Sequence, residues 1–133
     1  MKSIPTILPT YAAIFAIFFI VLSIRTIRQR RSLKIGLGDA GNKDMQRTMR
    51  VHANFAEYVP LCLLMIYWVE QSGVYAWFVH LLCLGLVAGR LSHAYGVSQL
   101  RENFRFRVTG MSLTFAVLIA CAAHLLWVAL KNL

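Results

Sequence analysis

Ile7-Leu-Pro-Thr-Tyr-Ala-Ala-Ile-Phe-Ala-Ile-Phe-Phe-Ile-Val-Leu-Ser-Ile24 runs eighteen residues without a charge and ends against Arg25, Arg28, Arg30, Arg31 and Lys34. A helix crossing roughly 30 Å of hydrocarbon needs about 20 such residues, so this stretch predicts a membrane span. The cations that close it mark the cytoplasmic end. No small-residue cleavage site separates the apolar run from the arginines, so the span is expected to be retained.

The rest of the chain repeats the pattern. Of its 133 residues, 59% are hydrophobic and 14% charged, far from the composition of a water-soluble globule. The apolar residues fall in four blocks, which predict helices over about 5–31, 45–70, 74–96 and 105–131 in a single domain, 1–133. Strands are disfavoured, because an open sheet edge in lipid leaves backbone groups unpaired. The expected fold is therefore an all-α integral membrane protein, a bundle of four transmembrane helices.

The formal charge of +9 follows the same topology, since twelve of the fourteen Lys and Arg lie between Arg25 and Arg107, in or beside two connections. The turn Glu70-Gln71-Ser72-Gly73 carries no cation. Both basic connections then face the cytoplasm, with both termini outside, in the cytoplasmic membrane if the source is bacterial. No basic stripe with interleaved aromatics occurs in a soluble segment, so no nucleic-acid partner is expected. Cys62, Cys83 and Cys121 each sit in an apolar run without ligand spacing, and read as small core residues, not a metal site.

The informative stretch lies in the second block: Arg47-Thr-Met-Arg50-Val-His52-Ala-Asn54-Phe-Ala-Glu57-Tyr58-Val-Pro60. At about 100° per residue, Arg47, Arg50, Asn54 and Glu57 fall within roughly 80° of one another, while His52 points the opposite way. A carboxylate at the depth of Glu57 costs several kcal/mol, so Arg50 and Asn54 are expected to hydrogen-bond to it or to a shared ligand. In the third block, Gly85 and Gly89 form a small-xxx-small pair that admits another backbone, and Arg90 and His93 share a face. The fourth helix is entered through Arg101, Arg105 and Arg107, cations placed against the positive end of the helix dipole, where an anion would relieve them. Arginines from four segments thus converge on one membrane face. The matching ligand is elongated and polar, with carboxylates.

Arg47-x-x-Arg50-x-His52-x-Asn54-x-x-Glu57 with Pro60 after it, then Gly89-Arg90-x-x-His93, then an Arg opening the fourth helix, resembles the MAPEG family of membrane-associated proteins in eicosanoid and glutathione metabolism. The resemblance spans nearly the whole chain. It implies a homotrimer that binds glutathione, as co-substrate, between subunits near the cytoplasmic face. It assigns Arg50, Asn54 and Glu57 to the glutathione backbone and carboxylates, with Arg47 on the same stripe, and Arg25 or Arg28 at the end of the first helix. It adds Arg90 and His93 from the third helix, and makes Arg107, or failing it Arg105, the cation that stabilises the thiolate. The second substrate would be a lipophilic electrophile or hydroperoxide delivered from membrane lipid.

Ala53 stands where some family members carry a further Arg, and Met111 where several carry a Tyr. These departures point away from specialised eicosanoid synthesis, towards a general glutathione transferase or peroxidase. Two other readings compete. A non-catalytic member of the fold would bind glutathione or lipid without turnover, and a small four-span exporter would carry a proton-bearing carboxylate in its first span. Ile7 to Ile24 contains none.

Overall fold

A computed structural model describes residues 5–99, 101 and 103–133. The order is α1 Leu8–Leu33, α2 Lys43–Gln71, α3 Ala76–Ser98 and α4 Phe104–Lys131. These agree with the sequence expectation to within a turn. Three of the helices, α1, α3 and α4, are long and apolar enough to cross a membrane. The chain is an integral, multi-pass membrane protein.

Helix α2 is the exception to the expectation of four apolar spans, and its place in the bundle explains why. At 29 residues it reaches roughly 43 Å, ample for a bilayer. Its first half, however, carries Lys43, Asp44, Arg47, Arg50 and Glu57. It packs against all three other helices, so only part of its circumference meets lipid, and it can carry polar groups that a peripheral helix could not. Its buried residues Met45, Thr48, Val51, Phe55, Val59, Cys62, Ile66 and Val69 recur at helical spacing along the side that meets those neighbours. Pro60 does not break the helix. Cys62, Cys83 and Cys121 are wholly buried in the common core, one each from α2, α3 and α4.

Three glycines set the distance between α3 and α4. A methyl on Gly110 would lie 2.6 Å from both the Gly89 carbonyl oxygen and the His93 nitrogen, and one on Gly96 would lie 2.8 Å from the Arg107 nitrogen. Side chains at these points would force the helices apart. The close approach expected of Gly85 and Gly89 is thus made within the subunit, by Gly89 and Gly96 against α4. Gly85 itself has only ordinary contact, with Val117.

The two ends of the bundle are tied differently. At the end away from the basic connections, Glu70 on the last turn of α2 accepts from the backbone nitrogens of Thr6, Ile7 and Leu8 at 2.9, 2.9 and 3.0 Å. Its carboxylate caps α1 in place of a side chain from α1 itself. Tyr11 Oη meets His80 Nδ1 at 2.9 Å, and Ser72 Oγ meets His124 Nε2 at 2.8 Å. At the other end Asn42 caps α2, accepting from Met45, and Asn103 caps α4, accepting from Arg105. Arg30 donates to the Gly38 carbonyl and so folds the 34–42 loop against α1.

Candidate functional site

The interlocked glycines hold the first turn of α4 against the last turns of α3, and α2 runs alongside both. Between them lies a cavity of about 360 Å³ lined by Lys43, Gln46, Arg47, Arg50 and Asn54 of α2, His93 and Val97 of α3, and Arg107 of α4. Four cations and no carboxylate line it among the described residues. Both α2 and α4 begin at this end of the bundle, so their dipoles add positive potential. A cavity of this size admits a small molecule, and its charge selects an anion.

Arg47, Arg50, Asn54, His93 and Arg107, all singled out in the sequence, are brought together here. Asn54 and His93 are held firmly, at 8% and 5% exposure. Arg47 Nη1 donates to the carbonyl of Val97 at 3.4 Å, joining the basic stretch of α2 to the C-terminal end of α3, where a cation is favoured. Lys43 and Gln46 escaped the sequence reading. Spacings of 43, 46/47, 50 and 54 continue the α2 stripe one turn back, and that signal would have found them.

Other expected residues lie elsewhere. Glu57 and Arg50 are exposed on the single subunit, and no hydrogen bond joins Glu57 to Arg50 or Asn54 among the described residues. The expected Arg50–Asn54–Glu57 contact is therefore not made within one chain. Seven residues separate Arg50 from Glu57, roughly 10 Å along the helix, and Asn54 is engaged by a different partner.

That partner is Arg90, which the sequence placed on a ligand-facing surface beside His93. It is 2% exposed and turned into the protein. Its Nη1 donates to Asn54 Oδ1 at 2.7 Å, and its Nη2 donates to the Gly110 carbonyl at 3.3 Å and to Thr114 Oγ1. Met111 Sδ lies 3.5 Å from Nη2, and the ring of Tyr58 lies 5.9 Å from the guanidinium carbon. Arg90 does not line the cavity. It crosses from α3 to α2 and α4 at the cavity's inner wall.

Arg25 and Arg28 line a separate groove of about 550 Å³ on the outer face of α1, with Val21, Ile24, Gln29 and Ser32. Arg25 Nη1 donates to Ser98 Oγ at 2.7 Å, bracing α1 against the end of α3. Arg105 is exposed and outside the cavity, on the far side of the α4 helix from Arg107. His52 turns away from the stripe, as its spacing indicated, with Nε2 3.0 Å from Ser23 Oγ and its ring stacked on Phe19.

The MAPEG family model matches residues 8–127. The chain belongs to the MAPEG family. It is also 33% identical over 117 residues, 88% of each chain, to the inner membrane protein YecN of Escherichia coli strain K12, and equally to YecN of the O6:H1 strain CFT073. The match to the family model runs from the start of α1 through α2 and α3 and into the C-terminal part of α4.

Proposed function

We propose that this MAPEG protein is a membrane glutathione transferase with peroxidase-type capability, assembled as a homotrimer in the cytoplasmic membrane with its cavity on the cytoplasmic side. The observation that carries the reading is the convergence of Arg47, Arg50, Asn54, His93 and Arg107, from three helices, on one cationic cavity. These are residues that the family resemblance assigns to glutathione. The inner-membrane placement of YecN and the clustering of Lys and Arg support the location.

Glutathione is an elongated tripeptide with two carboxylates and a thiol. In this reading Arg47, Arg50 and Lys43 receive carboxylate oxygens, and Asn54 donates to an oxygen between them. The thiol is placed towards Arg107. A thiol of ordinary pKa about 8.5 is mostly protonated at neutral pH, and a guanidinium beside it stabilises the thiolate nucleophile. Lowering that pKa by one unit requires about 1.4 kcal/mol of differential stabilisation, within reach of one well-placed Arg. The sulfur then bonds to an electrophilic carbon as a leaving group departs, or to a hydroperoxide oxygen as the O–O bond breaks. An apolar groove of about 260 Å³ between α1 and α2, lined by Phe15, Phe19, Phe55, Val59 and Leu63 among others, offers a lipophilic second substrate a surface at membrane depth.

Arg25, Arg28 and Glu57, which lie outside the cavity of one subunit, enter this account through the trimer. An exposed carboxylate at membrane depth favours a cationic neighbour, and a second copy supplies one.

The test is Arg107→Ala. It should retain much of the glutathione affinity but lose the ultraviolet thiolate signal and about 10²-fold in conjugation rate. Arg107→Lys should recover only part of it, because a compact ammonium lacks the planar fork. Arg105→Ala should leave both unchanged. Loss of the thiolate signal in the Arg105 variant alone would move the role to that residue, and loss in neither would refute thiol activation by α4. A non-catalytic binder is the second reading, favoured by Met111, whose sulfur faces Arg90 where a phenol would be needed. It predicts glutathione binding with no thiolate signal in the wild type.

A further inference from the structure

Arg90 is a fully buried cation whose side-chain hydrogen bonds all end on neutral acceptors: an amide oxygen, a backbone carbonyl, a hydroxyl and a thioether. Its Nε is buried with no partner at all. A guanidinium has donors only, so the arm of Asn54 that faces it at 2.7 Å must be the carbonyl oxygen. The amide orientation, otherwise ambiguous, is thereby fixed by chemistry. The other arm, Nδ2, carries two N–H donors and makes no hydrogen bond among the described residues, and the residue, more than nine-tenths buried, lines the cavity. Donors held in this way at the cavity lining are available to an acceptor atom of a ligand.

We infer that Arg90 is a positioning residue: it locks the Asn54 amide with its N–H groups presented to the cavity, so that the bound anion places a carboxylate or carbonyl oxygen on Asn54 Nδ2. The same guanidinium bridges to Gly110 and Thr114 on α4 and so sets the cavity wall and the aim of the amide together. Its uncompensated charge lies directly behind Asn54 and is passed to the ligand through a polarised amide. Arg90 therefore assists the anion without touching it. This inference rests on the proposed use of the cavity and names the ligand atom that the amide receives.

Asn54→Asp separates this role from simple packing, because it should move stability and affinity in opposite directions. The aspartate is nearly the same size and gives Arg90 a carboxylate, so the melting temperature in detergent should rise by a few degrees. The gain should vanish in an Arg90→Gln background, which the double-mutant comparison reads without any ligand. Glutathione affinity, by calorimetry, should fall about tenfold or more, since the two donors are gone and a negative charge faces the anion. Unchanged affinity would overturn the assignment of Asn54 Nδ2 to the ligand. No stability gain in the Arg90 background that keeps the arginine would overturn the lock. If the Asp variant does not fold, Arg90→Lys, which keeps the charge but cannot bridge Asn54 and Thr114 at once, should weaken glutathione by a similar factor, and an unchanged affinity there would again refute the lock. Wild-type protein that fails to bind glutathione removes the proposed function and the ligand half of this inference, while the stability comparison still decides the Arg90–Asn54 half.

Discussion

The two ends of the bundle use the same kinds of side chain to opposite effect. At the outer end one carboxylate, Glu70, accepts from three backbone nitrogens of α1, and two histidines each meet a hydroxyl. These polar groups are spent on holding helices together. At the basic end, Lys43, Arg47, Arg50 and Arg107 line an open cavity with no described carboxylate among them. This clustering of cations is what the proposed anionic ligand would use. One end uses its polar groups to tie helices together, and the other gathers them around a cavity, where the proposed function places a ligand.

The comparison can be broken most severely without altering a charge. Gly110→Ala places a methyl 2.6 Å from the Gly89 carbonyl oxygen and the His93 nitrogen, so α3 and α4 must separate. The expected cost is about 3 kcal/mol, measured by unfolding in mixed detergent, with loss of glutathione binding because Arg107 moves away from His93. A Gly110→Ala protein as stable as the wild type would show that the helix spacing described here is wrong.

A milder change sharpens it. Glu70→Gln keeps the shape of the α1 cap and removes its charge, which should lower stability by about 1 kcal/mol and leave glutathione affinity where it was. A fall in affinity would mean that the two ends are coupled, and the division between a structural end and a binding end would fail.

How much of this could be read in advance depends on whether a residue's role is set along one helix or between helices. The limits of α1 were legible, because an uncharged run meeting five cations has one stable placement in a bilayer. Arg47, Arg50 and Asn54 were legible as a stripe from spacing alone, and Lys43 belonged to it by the same arithmetic. Arg90 was not. Three residues from His93, it shares that residue's face by spacing, but a long guanidinium reaches to α2 and α4, and nothing in one helix says which neighbours lie within its reach. The contact between Gly96 and the start of α4 was hidden for the same reason. Glu57 shows the converse: periodicity put it on the stripe, yet the cavity ends at Asn54 because Arg90 occupies the wall behind it.

The central claim is that the basic end binds glutathione through charge, and calorimetric titration of glutathione into the detergent-purified protein, beside Arg50→Ala, tests it most directly. The account predicts saturable binding by the wild type, weakened by about 2 kcal/mol in the variant, since Arg50 lines the cavity and, among the described residues, makes no hydrogen bond that the substitution would break. Equal affinity in the two proteins, or no binding in either, would contradict it.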